Sequence, residues 1–278
     1  DKTGTITMNK MAVTDLYSHD NDDKHLCETM GLACEIDAYD PMEKAMLTYC
    51  ENIGISKDHL FSGNLIHEYA FTNELKMMGH VWEHDNKIII AAKGSPEKIL
   101  SICNISDEEK NEVQSKITDM SQKGLRVIAV AHTELDSADN IPENITDCKL
   151  NLCGVVGLSD PPREGIENNI KDCLNAGIRV VMITGDNGIT ASSIAKQVGI
   201  PNSDNIITGD EIEAMSDEEL KNTVEKISIF SRVIPEHKMR IIKALKENSE
   251  IVAMTGDGVN DAPALKYSDI GIAMGKRG

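Results

Sequence analysis

Three segments of the chain combine aspartate with threonine and glycine. They are Asp-Lys-Thr-Gly-Thr at residues 1–5, Thr-Gly-Asp-Asn at residues 184–187 and Thr-Gly-Asp-Gly-Val-Asn-Asp at residues 255–261. A single Thr-Gly-Asp would indicate only a turn, because glycine and aspartate are common turn residues. The second and third segments, however, each follow an apolar run that predicts a buried strand. Ligands of parallel α/β sheets collect at the carboxyl ends of such strands, so these segments predict a binding site.

Convergence of these acidic segments would require a cation. If Asp1, Asp257 and Asp261 share one site, two carboxylates about 4 Å apart repel by roughly 4 kcal/mol at an effective dielectric constant near 20. Oxygen ligands without a nearby histidine or cysteine favour Mg²⁺. Lys238 offers a second cation because Pro235 can begin a helix there, although an isolated helical lysine is by default a solvated surface residue. The combination predicts phosphoryl transfer in which a carboxylate attacks in line.

The phosphate donor must be held without the common nucleotide loops, since neither GxxxxGK[ST] nor GxGxxG occurs in the chain. Phe71 with Lys76, and Lys93 followed by Gly94, offer an aromatic face and two cations that suit an adenine base and its phosphates. From spacing alone, Phe71 is equally compatible with a core strand position.

The apolar pattern changes character along the chain. From about Asn151 onward, apolar runs, beginning with residues 151–158, alternate with amphipathic segments, which predicts a doubly wound parallel sheet. Earlier, helical patterns precede apolar runs, two of which flank a turn-like Asp-Asn at residues 85–86 and predict a hairpin in an antiparallel sheet. A chain of 278 residues can form two such domains or one large α/β domain.

Composition restricts the partners. A net charge of −18 disfavours binding to nucleic acid or anionic lipid, because the field repels polyanions. The chain has no apolar run near the roughly 20 residues that cross a bilayer and no basic-then-apolar leader, so we expect a soluble polypeptide. Its seven cysteines form no CxxC pair, which favours reduced core thiols over disulfides or a zinc knuckle.

Five motifs in order, DKTGT, KGSPE, DPPR, TGDN and TGDGVNDAPALK, resemble the cytoplasmic catalytic part of P-type cation-transporting ATPases over essentially the whole chain. Within that family the chain looks most like the calcium-pump branch. The resemblance implies a haloacid-dehalogenase-like, doubly wound parallel-sheet phosphorylation domain with an inserted α+β antiparallel-sheet nucleotide-binding domain. The expected boundaries are residues 1–14 and 158–278 for the former and 15–157 for the latter.

The resemblance also implies residue roles. Asp1 would be the nucleophile that becomes an aspartyl phosphate, and Mg²⁺ would be bound by Asp1, Asp257 and the main-chain carbonyl of Thr3. The remaining implied contacts are Thr184, Gly185 and Lys238 for the transferred phosphoryl group, Asn260 and Asp261 for the metal and phosphate shell, Glu43, Phe71, Lys76, Lys93, Arg126 and Arg163 for the ATP pocket, and Asp186 and Arg232 near the phosphates and ribose.

The residue two positions after the nucleophile bears on the lifetime of the intermediate. Related phosphatases place an aspartate there to protonate the leaving group and activate water, whereas this chain has Thr3. Slow hydrolysis is therefore expected, which leaves time for domain movement before a separate actuator domain brings in water. By resemblance, the chain is an excised fragment from the cytoplasmic face of a membrane, without the central strand of its sheet. The transported cation would be bound by membrane segments outside it.

Two other functions fit the same residues. One is a small-molecule phosphatase of the same superfamily with residues 15–157 as its cap, against which Thr3, Phe71, Lys76 and Lys93 argue. The other is a nucleotide-binding module that binds ATP without transferring phosphate.

Overall fold

The computed structural model describes residues 1–84, 87–256 and 259–274. The chain divides into two compact units by its internal contacts. Unit 1 comprises Asp1–Lys10, Ser121–Gly124 and Asp160–Gly278, and unit 2 comprises Met11–Met120 and Leu125–Ser159. Within the described ranges, no helix combines the length and the apolar character needed to span a bilayer.

Unit 2 is built on an antiparallel sheet, in which the described residues form six strands in the order β1-β6-β5-β4-β3-β2. The strands are β1 (Ala12–Ser18), β2 (Asn64–Tyr69), β3 (Met77–His84), β4 (Lys87–Gly94), β5 (Arg126–Leu135) and β6 (Asn151–Ser159). Strands β3 and β4 pair antiparallel from Met77 with Gly94 to His84 with Lys87, as expected for the predicted hairpin, whose Asp-Asn at residues 85–86 lies outside the described residues.

Helices cover the sheet of unit 2. They are α1 (Asp23–Leu32), α2 (Pro41–Asn52), α3 (Lys57–Leu60), α4 (Pro96–Ile102) and α5 (Asp107–Gln122). One apolar cluster joins α1 and α2 to strand residues such as Val130, and another joins α4 and α5 to residues such as Ala129 and Ala131. Because successive strand residues point to opposite faces, the apolar run of β5 supplies both cores.

Unit 1 contains parallel strands. Among its described residues, three strands pair in the order β7-β9-β8 and two more pair as β10-β11. These strands are β7 (Met182–Ile183), β8 (Ile206–Thr208), β9 (Ile229–Ser231), β10 (Ala253–Gly256) and β11 (Ile270–Ala273). Short strands of this kind expose little backbone and depend on the helices around them for burial.

The described helices of unit 1 are α6 (Ile166–Asn175), α7 (Gly188–Gln197), α8 (Gly209–Ala214), α9 (Asp217–Thr223), α10 (Pro235–Glu247) and α11 (Ala262–Tyr267). Three of these six described helices, α7, α8 and α9, begin at a side-chain cap. Thr208 with Glu211, and Ser216 with Glu219, form capping boxes that satisfy free backbone donors at the starts of α8 and α9. Asn187 caps α7 by accepting a hydrogen bond from the backbone of Thr190.

The predicted α/β class, with an antiparallel sheet beside parallel strands, is confirmed. Two details differ from expectation. Residues 151–158 were expected among the parallel strands, but β6 pairs antiparallel with both β1 and β5. The apolar run at residues 178–184 forms only the two-residue β7, because β7 pairs with β9 alone among the described residues and β9 itself is short.

All seven cysteines are free, and each is buried or half-buried, as expected for reduced core residues. Burial raises the pKa of the Cys34 thiol to about 12, so this group is a neutral thiol at physiological pH.

Candidate active site

A lysine of unit 1 lies between two carboxylates. Nζ of Lys238 is 3.1 Å from Oδ1 of Asp1 and 2.6 Å from Oδ1 of Asp261. The three side chains are only 12%, 8% and 6% exposed, respectively. Because they are largely withdrawn from water, these charges interact more strongly than a surface ion pair does. We call this group the carboxylate–lysine cluster, and in it Lys238 is not a solvated surface residue.

Three elements position the carboxylate–lysine cluster. Lys238 lies in the first turns of α10, and Asp261 ends a 3-10 turn that leads into α11. The backbone nitrogen of Asp1 is 3.3 Å from Oγ1 of Thr255 on β10. A Cβ atom at Gly256 would lie 2.6 Å from Oδ2 of Asp261. Glycine at the end of β10 therefore leaves the space that the Asp261 carboxylate occupies.

The turn after Asp1 is held by a buried lysine. Nζ of Lys2 is 2.7 Å from Oδ2 of Asp186 and 3.9 Å from Oδ2 of Asp160. The same oxygen of Asp160 accepts a hydrogen bond of 2.5 Å from Oγ1 of Thr7. Gly4 adopts a φ of 75°, a conformation that side chains with a Cβ rarely tolerate. These contacts fix the backbone directly after Asp1.

Arg163 supports the same turn through backbone carbonyls. Its Nε donates to the carbonyl of Thr5 at 2.9 Å, and its Nη2 donates to the carbonyl of Gly4 at 2.5 Å. Its own backbone nitrogen donates to the carbonyl of Ile6 at 2.9 Å. The guanidinium fork thus satisfies consecutive carbonyls and orients the segment that carries Asp1.

The loops that follow β7 and β9 are joined by backbone hydrogen bonds. Arg232 donates to the carbonyl of Asp186 at 2.9 Å, and Val233 donates to the carbonyl of Thr184 at 3.1 Å. Oγ1 of Thr184 accepts the backbone N–H of Asp186 at 3.1 Å. Arg232 has a φ of 52°, which is unusual for a residue other than glycine. The Thr-Gly-Asp segment is therefore held in one backbone conformation at the carboxyl end of β7.

Unit 2 contains a buried ion pair of its own. Nζ of Lys93 is 2.6 Å from Oε1 of Glu43 and 2.6 Å from the carbonyl of Ala33, and it also contacts Sδ of Met78 at 2.9 Å. Lys93 and Glu43 are each 7% exposed in their side chains. An ammonium group has three N–H donors. All three donors of Lys93 are thus directed at groups of unit 2, of which the thioether is the weakest acceptor.

The other predicted nucleotide contacts of unit 2 lie between β2 and β3, at the end of β4 and at the start of β5. Phe71 is 56% exposed, so it is not a core strand residue. Lys76 has a φ of 51° directly before β3, and its carbonyl accepts the backbone N–H of Ser95 at 2.8 Å. A Cβ at Gly94 would lie 2.5 Å from Cβ of Met77, so glycine permits the close approach of the two strands. Arg126 is half-buried at the start of β5.

Comparison with known proteins gives one family. Residues 37–165 match the family model described as P-type ATPase, cytoplasmic domain N. The chain is 36% identical to calcium-transporting ATPase 1 of Bacillus cereus over 312 aligned positions, which cover 100% of this chain and 35% of that protein. It is 33% identical to calcium-transporting ATPase 1 of Saccharomyces cerevisiae, again over 100% of this chain and 35% of the relative.

The chain belongs to the P-type ATPase family. This confirms the predicted resemblance. The chain is also 35% identical to a sodium/potassium exporting P-type ATPase of Schizosaccharomyces pombe, over 86% of this chain and 25% of that protein, so its relatives include proteins named for different ions. The chain spans about a third of the length of the calcium-transporting relatives it matches.

Three residues expected in a P-type ATPase site are close together in the structure, and another lies outside the described residues. Asp1, Lys238 and Asp261 form the carboxylate–lysine cluster, whereas Asp257 falls in residues 257–258, outside the described part. Thr3 is half-buried and Asn260 is exposed. The roles assigned to all of these residues remain predictions.

The oxygen donors of the carboxylate–lysine cluster fit Mg²⁺. Two buried carboxylates, those of Asp1 and Asp261, flank the ammonium of Lys238 there. Both offer hard oxygen ligands, the type that Mg²⁺ prefers. A carbonyl such as that of Thr3 is a ligand of the same type.

Sequence reasoning overlooked Lys2 and Asp160. Both are less than a tenth exposed, and both contact the turn that follows Asp1. A signal was present, since Lys2 is part of the first motif and Asp160 part of Asp-Pro-Pro-Arg, but their pairing spans 158 residues of sequence. Arg163 was expected at the nucleotide, and in unit 1 its guanidinium donates to the Thr5 and Gly4 carbonyls.

Proposed function

We propose that this chain is the catalytic part of an ATP-driven cation pump and that Asp1 accepts the γ-phosphoryl group of ATP. The observation that carries the proposal is the ammonium of Lys238 held between Asp1 and Asp261. A fixed cation beside a carboxylate nucleophile stabilises the charge of a transferring phosphoryl group, which is the main requirement of this chemistry.

The proposed step is an in-line displacement. The carboxylate of Asp1 forms a bond to the γ-phosphorus while the bond between that phosphorus and the bridging oxygen of ADP breaks, so that ADP leaves with the electron pair. Lys238, Thr184 and Gly185 would hold the oxygens of the transferred group. The product is an aspartyl phosphate on Asp1.

Asp1, Asp257 and the carbonyl of Thr3 would hold Mg²⁺, with Asn260 and Asp261 in the surrounding shell. When bound, the ion neutralises negative charge on the phosphates. The contacts of Lys2 and Arg163 hold the turn that follows Asp1 and so orient the acceptor carboxylate.

Unit 2 would bind the nucleotide. Phe71 offers an exposed ring for stacking on adenine, and Lys76, Lys93 and Arg126 are its cations. Asp186, Arg232 and Arg163 would also contact the nucleotide. Because the three donors of Lys93 are already directed at Glu43, Ala33 and Met78, a ligand that uses this lysine exchanges with one of them.

The transported ion and the membrane location are proposed from the names of the relatives. Two of them are named calcium-transporting ATPases, and we propose calcium as the transported ion, bound by membrane segments of a longer chain. The described part would act at the cytoplasmic face, and an actuator domain would admit water to the phosphoenzyme. Thr3 offers no carboxylate for that hydrolysis, so the intermediate would be long-lived without the actuator.

The test is labelling of the 278-residue chain with [γ-³²P]ATP and Mg²⁺. We expect an acid-stable label that hydroxylamine releases and that Asp1→Asn abolishes, while Lys238→Ala slows its formation by about 100-fold. Asp139→Asn, which changes an exposed aspartate of unit 2, should label normally. Persistence of the label in Asp1→Asn would show that another residue is the acceptor.

Two other results would replace the proposal. Calorimetric binding of ATP without any label would indicate a nucleotide-binding module. Rapid, metal-dependent hydrolysis of p-nitrophenyl phosphate without affinity for ATP would indicate a small-molecule phosphatase.

A further inference from the structure

Two histidines and a cysteine of unit 2 converge on one another, and none of them belongs to the Lys93–Glu43 ion pair. Each of His25, His132 and Cys153 offers one ligand atom, and these atoms all lie within 4.8 Å of one another. Nδ1 of His132 is 3.3 Å from Sγ of Cys153. The rings of His25 and His132 meet edge to face with their centroids 4.4 Å apart. We call these three residues the His–His–Cys cluster.

Secondary structure explains the convergence. His25 lies in the first turn of α1, whose N-cap is Asp22. His132 lies on β5, and Cys153 lies on β6 at an irregularity where Val130 and Ala131 pair with Gly154 and Leu152.

Cys153 is therefore the extra residue of a β-bulge. Bulges re-aim a side chain, and here the thiol contacts the His132 ring under α1.

The carboxylate of Asp20 contacts the ring of His25. Oδ2 of Asp20 is 3.3 Å from Nδ1 of His25. Histidines that bind a metal through one nitrogen commonly donate the other N–H to a carboxylate, which fixes the ring and its tautomer. Asp20 leaves Nε2 of His25 as the nitrogen available to an ion.

We propose that His25, His132 and Cys153 bind a divalent transition-metal ion of the zinc type. Thiolate and imidazole are the ligands that Zn²⁺ selects, and three protein ligands leave a fourth position for water. Nitrogen and sulfur ligands of a tetrahedral zinc lie about 3.6 Å apart, close to the separation of His132 and Cys153. Binding releases the thiol proton of Cys153 to solvent and forms the metal–sulfur bond.

The His–His–Cys cluster differs from the proposed magnesium site in its ligand atoms, and within unit 2 it is separate from the Lys93–Glu43 ion pair. Its donors are sulfur and nitrogen, whereas the carboxylate–lysine cluster offers oxygen. The His–His–Cys cluster lies at the start of α1, whereas the carbonyl of Ala33, just past the end of α1, contacts Lys93. The sequence gives no local motif for this site, because residues 25, 132 and 153 are far apart along the chain and none belongs to a CxxC pair.

The test is a Co²⁺ titration of the reduced 278-residue chain, followed by absorbance. We expect one equivalent to give a near-ultraviolet thiolate-to-cobalt band that Zn²⁺ removes by displacement. Cys153→Ser should lose the band. His25→Asn, whose ring in the native chain is one-third exposed, should weaken affinity by at least tenfold. Asp20→Asn should weaken it by about 10-fold to 100-fold, as for residues that position a metal ligand.

Cys103→Ser is the matched control, because it removes another thiol of unit 2 that is not in the His–His–Cys cluster. It should keep the band and the affinity. Far-ultraviolet circular dichroism verifies folding of each variant. A band that survives in Cys153→Ser, no band in the folded native chain, or an unchanged affinity in His25→Asn would overturn the proposal and leave a simple histidine–cysteine hydrogen bond.

Discussion

At the scale of single residues, the carboxylate–lysine cluster depends on charge balance in a confined space. Lys238 offsets the repulsion between Asp1 and Asp261, both of which are largely shielded from water. Gly256 contributes by lacking a side chain, since any Cβ there would contact the Asp261 carboxylate. The charge interaction of Lys238 with Asp261 therefore depends on the space that Gly256 leaves for the Asp261 carboxylate.

Gly256→Ala should displace Asp261. The new Cβ would lie 2.6 Å from Oδ2 and 2.7 Å from Cβ of Asp261, so the aspartate must shift away from Lys238. We expect phosphoenzyme formation from ATP to slow by at least about tenfold, since small misplacements of a positioning group are costly. Gly188→Ala, where the nearest neighbouring atom would be 3.4 Å away, is the control and should label at the native rate.

Lys93→Met tests the ion pair of unit 2. Removing one partner of a buried pair leaves the other charge uncompensated, and we expect a loss of about 3–5 kcal/mol in the free energy of unfolding. Trp82, the single tryptophan and a buried residue of unit 2, reports this transition by fluorescence in urea. Lys87→Met, which breaks an exposed pair with Glu134, should cost no more than about 1 kcal/mol. Equal losses in both variants would contradict the expectation.

The candidate site was predictable from sequence only in part. Asp1, Lys238 and Asp261 were singled out from strand ends and charge, and they are close together in the structure. Lys2 and Asp186 were not paired in advance, because 184 residues separate them and spacing carries no information on such contacts. Asp257 lies outside the described residues.

At the scale of elements, helices of unit 1 are tied together by side chains at their ends. Asp217, at the start of α9, accepts hydrogen bonds from Arg240 at 3.1 Å and from Lys243 at 3.2 Å, both on α10. Arg240 also donates to the carbonyls of Ile212 and Met215 at 2.7 Å. The helix that carries Lys238 is thus anchored on its opposite side.

The anchoring of α10 by Asp217 should depend on pH. Hydrogen bonds from Lys243 and then Arg240 lower the pKa of Asp217 below its ordinary value of 3.8. A carboxyl with a lower pKa in the folded state adds stability above the unfolded pKa and loses it as pH falls through the folded pKa. We expect the melting temperature to fall below pH 3.8 less steeply in Asp217→Asn than in the native chain. Identical slopes would show that this carboxylate does not contribute.

Most long elements were predictable because their periodicity is strong, as in α2, α10 and β5. The lengths of the short parallel strands were not, because a strand extends only as far as its partner. Apolar residues 178–181 continue the pattern of β7 without being part of the strand, since β9 offers only Ile229–Ser231 for pairing. The antiparallel pairing of β6 likewise depends on its neighbours, not on its own composition.

At the scale of the whole molecule, each unit has its own apolar interior. Two clusters of unit 2 cover both faces of its sheet, and separate clusters surround the strands of unit 1. Independent cores predict independent folding.

We expect residues 11–159 to fold alone. They include both cores of unit 2, together with four residues, Ser121–Gly124, that belong to unit 1. The isolated polypeptide should give the same Trp82 emission maximum as the full chain and a cooperative urea transition. A red-shifted, non-cooperative fluorescence change would mean that unit 1 is needed for this core.

The two points where the chain passes between the units lie close together. Apart from Ser121–Gly124, the polypeptide passes between them only next to residues 10 and 160. Ala12 pairs with Ser159, and Thr7 pairs with Pro162, so these two crossing points are neighbours. We therefore expect that residues 11–159 can be exchanged as one segment, which takes Ser121–Gly124 of unit 1 with it, and that a short linker can rejoin the remaining ends of unit 1.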